Sequence, residues 1–370
     1  MASYSTIDTQ FAAEVLTEFV PNLIFDQLCQ RKSTITPIGR GLGVTWTQYD
    51  RTTGSITALP DAAGPTTTGT KTATDILVTL DEYGEAPVTY KGMASLQSPH
   101  DDFTQCVKNV AYRAGSALDN LAIKAFMGLT SATSDAPNPT DINWAHPLGG
   151  TTSGGVQYFK PLTDGLVILG TSTATARSKV VSGSILTADI VRARYTDLKT
   201  NNVPSFGMVD GNPLYAVIAH PAVYYDLKRE SGNNSWTDTH KYVAEGFGNI
   251  KYAVLGIWEG FIFLESSRMF YQSSGASSVN IFPTLFVGAD ALGKGFTPAN
   301  YLPQLDPSIQ RVPLAESADI RIKPAGDAQG RFSTVAWYAN LAYKIINPKG
   351  MIRQELTTSN SSYKTATLSR

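Results

Sequence analysis

The chain is 370 residues long and carries 30 Lys and Arg against 31 Asp and Glu, a net charge of −1. At 42% hydrophobic it has ample material for a packed core, which excludes a disordered chain, and its balanced charge argues against a dedicated nucleic-acid binder or a polybasic membrane-surface protein. Charged residues are only 16%, against roughly 25% in an average soluble domain, which fits a chain whose surface largely faces other subunits.

In chain order, residues 8–31 show a broken apolar face (Phe11, Val15, Phe19, Leu23, Phe25, Leu28) interrupted by Pro21, and read as an N-terminal arm, helical in part. Residues 43–51 alternate as a strand, and so do 76–80 and 86–91. Between the first two lie the 24 residues from Thr52 to Asp75, with nine threonines, three glycines and two prolines. Hairpin loops usually take two to five residues, and threonine favours extended backbone. The segment therefore predicts a two-stranded flap reaching about 40 Å at ~3.3 Å per residue. Such a flap has no core of its own and must lie on something. Thr53, Ile56, Leu59, Lys71 and Ile76 are its candidate assembly-interface residues.

A helix is predicted over 99–128, roughly 45 Å at 1.5 Å per residue. Ser98 suits its N-cap, Pro99 its first turn, and Asp101 completes a capping-box pattern. Its stripe is Phe103, Val107, Val110, Ala114, Ala117, Leu121 and Ala125. Residues 130–185 are rich in Thr, Ser, Gly and Pro and read as an irregular insertion with short strands. Thr187 is the predicted cap of a helix over 188–200. Strands follow at 214–219, 253–257, 261–264 and 281–287, with a short helix from Pro221. From 333 to 347, Val335, Trp337, Ala339, Leu341, Tyr343 and Ile345 alternate with polar or small residues, a long strand of ~40 Å ended by Pro348. Trp337 joins the interface candidates. Residues 357–370 read as a polar, frayed tail.

The chemistry is sparse. Cys29 and Cys106 lack any metal-type spacing, and the four histidines form no Cys/His cluster, so no metal and no cofactor are expected. Gly288 to Gly295, ending Gly-Lys-Gly, nearly fits a phosphate-binding loop, but Gly295 lacks the metal-binding hydroxyl and Asp290 is misplaced for phosphate. A glycine-rich turn is the better reading. Gly39-Arg40-Gly41-Leu42-Gly43 precedes a strand and reads as a turn. His220 before Pro221 reads as a junction histidine bonded to nearby backbone, and His100-Asp101-Asp102 as helix capping. Scattered basic residues form no run; they supply at most weak, non-specific phosphate contacts. No signal peptide and no apolar run of about 18 residues is present, so cytoplasmic synthesis and no membrane partner are expected.

The order of features resembles the major capsid protein of tailed bacteriophages, the Hong Kong 97-like α+β fold, and within it the coliphage N-four-type family. The stretches that carry the resemblance run from Thr36-Pro37-Ile38-Gly39 through Trp46 to Leu59, and include Leu80-Asp81-Glu82-Tyr83-Gly84. Further on come Ala219-His220-Pro221-Ala222-Val223-Tyr224-Tyr225-Asp226-Leu227, Gly288-Ala289-Asp290-Ala291, and Gly330 to Glu355 with Asn347-Pro348-Lys349-Gly350-Met351-Ile352-Arg353. It implies an N-terminal arm (1–44), an extended β loop (45–91), a peripheral domain (92–129 with 331–356) and an axial domain (186–330). Residues 130–185 are left as an insertion and 357–370 as the tail.

The resemblance also implies a non-enzymatic shell subunit that self-assembles into hexamers and pentamers around double-stranded DNA. It would be made in the host cytoplasm and end in the virion. Its partners would be portal and decoration proteins. A separate scaffolding protein is expected because no long charged coiled-coil segment is seen. Lys71 is a conceivable crosslink donor. The alternatives are an encapsulin-like nanocompartment shell, an enzyme built on 186–330 with His220 or the 288–295 loop at its site, and a β-rich adhesin or tail component.

Overall fold

The computed structural model describes residues 19, 23–33, 43–49, 73–91, 102–127, 151–153, 156–158, 166–170, 179–209, 211–230, 236, 253–269, 271–273, 275–303, 306–324 and 331–364. In chain order these form a 3-10 turn (Phe25–Leu28), β1 (Gln30–Ser33), β2 (Gly43–Tyr49), β3 (Ala73–Thr79), β4 (Asp81–Gly84), β5 (Val88–Lys91) and helix α1 (Asp102–Met127). Then come β6 (Thr151–Ser153), β7 (Val156–Tyr158), β8 (Leu166–Leu169), α2 (Ala188–Thr200), β9 (Gly207–Val209), β10 (Asn212–Ala219) and α3 (Pro221–Arg229). The remainder is β11 (Val254–Trp258), β12 (Phe261–Glu265), β13 (Gln272–Ser273), β14 (Asn280–Val287), β15 (Leu292–Phe296), β16 (Gln310–Ala315), β17 (Ala318–Pro324), β18 (Phe332–Ile345), β19 (Met351–Leu356) and α4 (Ser361–Lys364). The class is α+β, as expected.

β18 organises the first sheet. Its alternation is realised as built: Val335, Trp337, Ala339 and Leu341 are buried while their neighbours are half-exposed. One edge takes β17 and then β15 in succession along its length, and the other takes β5 and then β4, so that Leu341 stands between Asp81 and Phe296. β1 adds in parallel to β15, and β16 closes the far edge, giving seven strands. Pro313 lies in β16; a proline is tolerated at an edge and discourages further pairing there.

The second sheet has the order β11-β12-β10-β14-β19-β8, with β9 and β13 paired at its margins. The β11–β12 turn requires positive φ at Glu259 (48°) and Gly260 (76°). A side chain at Gly260 would also strike the Tyr195 ring, 2.2 Å from an ideal Cβ. α3 is tied to this sheet by the Tyr224 hydroxyl, which donates to the Leu264 carbonyl at 2.9 Å.

Helix α1 serves both cores. Val107, Val110, Ala111, Ala114 and Leu118 pack on the seven-stranded sheet. One turn further, Ala122, Ile123 and Phe126 enter the core beneath the eight-stranded sheet, which also holds Leu214, Ile218 and Leu285.

Several expectations are corrected. The stripe on α1 is wider than expected: Leu118, Ala122 and Phe126 are buried beside Ala117, Leu121 and Ala125, which are partly buried against the same cores. Residues 30–33 are a strand, not part of a helical arm. Residues 81–91 form two short strands separated by 85–87. The side chain of Thr187 makes no capping bond; the Ala188 amide donates instead to Glu230 Oε2 at 2.9 Å. Sheet membership does not follow chain order: β15, β16 and β17 lie in the sheet of β18, while β19 lies in the other, where it pairs with β14 and β8. β8, from the expected insertion, is the edge strand of that sheet, pairing in parallel with β19. The tail is anchored through its first residues: Thr357 and Thr358 are fully buried, and the Thr358 hydroxyl donates to the Ala222 carbonyl at 2.7 Å. The Ser98 cap falls outside the described residues.

A buried carboxyl on α1 had no sequence signal. Asp119 is fully buried. Its Oδ1 accepts the Phe25 amide at 2.9 Å, and its Oδ2 lies 3.9 Å from Arg268 Nη1. Burial pushes it up to about 7, against the lowering pull of the Phe25 amide and Arg268. The protonated form is thus favoured by folding. The stability this lends is full below about pH 4 and is lost as pH rises through about 7. Urea melts at pH 5 and pH 8 should differ by roughly 2–4 kcal/mol through this group, and Asp119→Asn should remove that difference.

Candidate assembly interface

The root of the predicted flap is a two-stranded ladder, β2 against β3, in register from Gly43–Thr79 to Tyr49–Ala73. It shares no strand pairing with either large sheet. An isolated hairpin is marginal in water, so its hold on the body lies in side chains. One face buries Val44, Trp46, Val78 and Leu80 against Ile346, with Ile76 and Ala342 at the margin. At about 1.5–3 kcal/mol per fully buried large apolar side chain, this contact is the main attachment of the root. The other face is open: Leu77 is 58% exposed, and the Thr47 hydroxyl donates to Asp75 Oδ1 at 2.6 Å.

The surface beneath the root is made by glycine. β15 pairs with β1 on one side and β18 on the other, and alternation puts Gly293 and Gly295 on the face toward the hairpin. An ideal Cβ on Gly293 would lie 2.1 Å from Ile346 Cδ1 and 3.4 Å from the Trp46 ring; one on Gly295 would lie 3.1 Å from Leu80 and 3.4 Å from Val44. Two lysines flank this floor. Lys32, the β1 register partner of Gly295, donates from Nζ to the Thr45 carbonyl of β2 at 2.6 Å. Lys344, the β18 register partner of Gly293, donates to the Leu77 carbonyl of β3 at 2.9 Å. Each hairpin strand is therefore held from one side by a lysine across a flat glycine floor.

The opposite face of β15 holds the N-terminal arm. Lys294 is 2% exposed, and its Nζ lies 2.6 Å from Asp26 Oδ1 in the 3-10 turn. Its cross-strand neighbour Arg31 reaches Asp26 Oδ2 at 2.9 Å, and the Tyr343 hydroxyl donates to Oδ1 at 3.0 Å. Burial alone would raise the Asp26 carboxyl, but the Lys294 and Arg31 charges outweigh it and hold the group below its ordinary range. Burial, with Asp26 beside it, pushes the Tyr343 hydroxyl well up, so it stays a donor.

Of the expected interface residues, Thr53, Ile56, Leu59 and Lys71 lie outside the described residues, between the register partners Tyr49 and Ala73. Ile76 sits half-buried at the margin of the hairpin's inner face. Trp337 is 5% exposed within the single chain, packed between β18 and α1, with Nε1 donating to Glu85 Oε2 at 3.4 Å. His220 is the N-cap of α3, its Nδ1 accepting the Ala222 amide at 3.1 Å. Lys294 lies within a buried strand, not in a loop open to phosphate. Among the described residues no group of three or more His, Cys, Asp and Glu is placed to hold a metal, and no helix is long and apolar enough to cross a membrane. Sequence reasoning missed the glycine floor and its two lysines. The available signal was the Gly-Lys-Gly run inside a strand, where glycine marks the close approach of another segment.

No protein-family model matches the sequence, and no curated protein matches it. Solved structures do share its fold. The capsid of Ralstonia phage GP4 superposes with a TM-score of 0.63 at 16% identity, over 90% of this chain and 88% of that one. The cyanophage Pam1 capsid gives 0.59 at 12% identity, over 93% of each. The capsid of Helicobacter pylori bacteriophage KHP30 gives 0.55 at 9%, over 89% and 88%. The chain thus has the fold of phage capsid subunits, the Hong Kong 97-like fold, along nearly its whole length.

The glycine floor makes a direct prediction. Gly295→Val should push the hairpin root off β15 and cost about 1–3 kcal/mol in a urea melt. Gly183→Ala, where an added Cβ meets nothing within 4 Å, should cost little by the same measurement.

Proposed function

We propose that this chain is the major shell subunit of a bacteriophage head, forming the hexamers and pentamers of an icosahedral capsid around double-stranded DNA. The observation that carries the reading is the likeness of fold over about nine-tenths of the chain to capsid subunits from three phages. The hairpin supports it. A ladder with no strand partner in either sheet, one open face and residues 50–72 between its ends is suited to contacts made by another subunit. The low charge content agrees.

In this reading the seven-stranded sheet with the first half of α1 is the peripheral domain, the eight-stranded sheet with α2 and α3 the axial domain. The chain is a structural protein of the virion, assembled in the host cytoplasm with a separate scaffolding protein, a portal and decoration proteins. Contacts with the packaged DNA are weak and non-specific, and no membrane takes part. Ile76 and the 50–72 segment, with Thr53, Ile56, Leu59 and Lys71, are its intersubunit contacts. The nucleotide-loop alternative is disfavoured by the buried Asp26–Lys294 pair, which leaves that ammonium no opening toward a phosphate.

Light scattering and negative-stain imaging of the protein, expressed alone and with its neighbouring genes, test the proposal. Closed particles of megadalton mass are expected; a 39.8 kDa monomer under both conditions contradicts it. Replacing residues 50–72 with a two-residue Asn-Gly turn, which suits a hairpin closed between Tyr49 and Ala73, should leave a folded chain with an unchanged urea midpoint. That variant should form no closed shells in the same images.

A further inference from the structure

We infer that docking of the N-terminal arm and the posture of the hairpin root are one linked equilibrium, transmitted through β1 and β15, with Gly293-Lys294-Gly295 as the coupling strand. The two arms touch opposite faces of the same two strands. On one face, Arg31 and Lys294 share the Asp26 carboxylate of the 3-10 turn. On the other, Lys32 and the two glycines carry β2 and β3. Successive residues therefore serve different arms: Arg31 and Lys32 on β1, Lys294 and its flanking glycines on β15.

Three features make this a coupling and not mere adjacency. All five residues of β15 are buried, so the strand has no loose surface into which it can relax. The floor carries no side chains, so a displacement of the β15 backbone passes directly to Val44, Trp46 and Leu80 without a rotamer change to absorb it. Finally, β1 belongs to the N-terminal arm yet supplies Lys32 to the hairpin; if the arm lifts, that grip on β2 goes with it. Coupling of two sites is reciprocal by thermodynamic necessity, so loosening either arm must loosen the other. The coupling stands on the chain's own contacts; its use, letting a neighbour that seats one arm set the other, rests on the shell-subunit reading.

Hydrogen–deuterium exchange on the unassembled full-length chain tests it. Asp26→Asn with Lys294→Met removes both buried charges together, avoiding an orphaned ion. It should speed exchange in 25–33 and, by about fivefold or more, in 43–49 and 73–79. Lys344→Met, on β18 and away from the arm, should speed exchange in the hairpin and also in 25–33. The inference is overturned if either variant loosens only its own arm, or if Lys344→Met leaves the hairpin unchanged. Should the double variant fail to fold, Arg31→Gln, at a half-exposed site, loosens the arm for the same reading. Because no shell is needed, failure of the chain to assemble while the coupling holds counts against the shell reading alone.

Discussion

The carboxylate of Asp26 is the contact on which most of the molecule leans. It sits at the crossing of the 3-10 turn, β1, β15 and β18, and takes Lys294 and Tyr343 on one oxygen and Arg31 on the other. Arg31 and Lys294 are register partners, so two like charges stand side by side across a strand pair, an arrangement that is destabilising unless a counter-charge intervenes. Asp26 is that counter-charge. A buried ion pair is weak evidence for net stability, but removal of one partner is severe because it strands the other in a low-dielectric site. The cluster therefore acts as a registry pin: it admits β1 in parallel on β15 at one position and no other.

Around that pin the chain divides its labour by strand face. Alternation along β15 places Lys294 toward the arm and the two glycines toward the hairpin. Alternation along β18 places Val335, Trp337, Ala339 and Leu341 toward α1. α1 in turn spans both hydrophobic cores, packing its first half on the seven-stranded sheet and its last turns under the other. Arg268, from the turn after β12, lies along it, donating to Ser116 at 2.8 Å and approaching Asp119. The two sheets are thus joined by this helix, by polar contacts on its surface, and by Leu292, Tyr343 and Ile345 of the first sheet, which pack in one core with Leu214, Ile218 and Leu285 of the second. The hairpin is held differently. It has an apolar inner face and two lysine-to-carbonyl bonds, but no ladder to the body, and so can be firmly placed without being built into either sheet.

Charge is concentrated where it pins segments together, at Asp26 with Lys294 and Arg31, and at Asp319, which takes Arg311 at 2.6 Å and Arg321 at 3.2 Å on the β16–β17 hairpin. The open face of the hairpin root, where Leu77 is 58% exposed, leaves a large apolar side chain to solvent.

Local periodicity was enough to read β2, β18, α1, α2 and the α3 junction with its backbone-bonded His220, because each depends on neighbours a few residues away. The order of those elements carried the resemblance to the phage shell fold. What that reading could not supply was membership: β15 to β17 joined β18 and β19 joined the other sheet because pairing is settled by partners far along the chain. The same holds for the stripe on α1, which widened where a second core closed over it, for Thr357 and Thr358, buried despite their polarity, and for Asp119, charged in sequence and sealed in the fold. Gly293-Lys294-Gly295 shows the distinction most sharply. Three residues that read as part of a glycine-rich turn became a strand with two faces, since only the fold brings Asp26 to one side and Val44, Trp46 and Leu80 to the other.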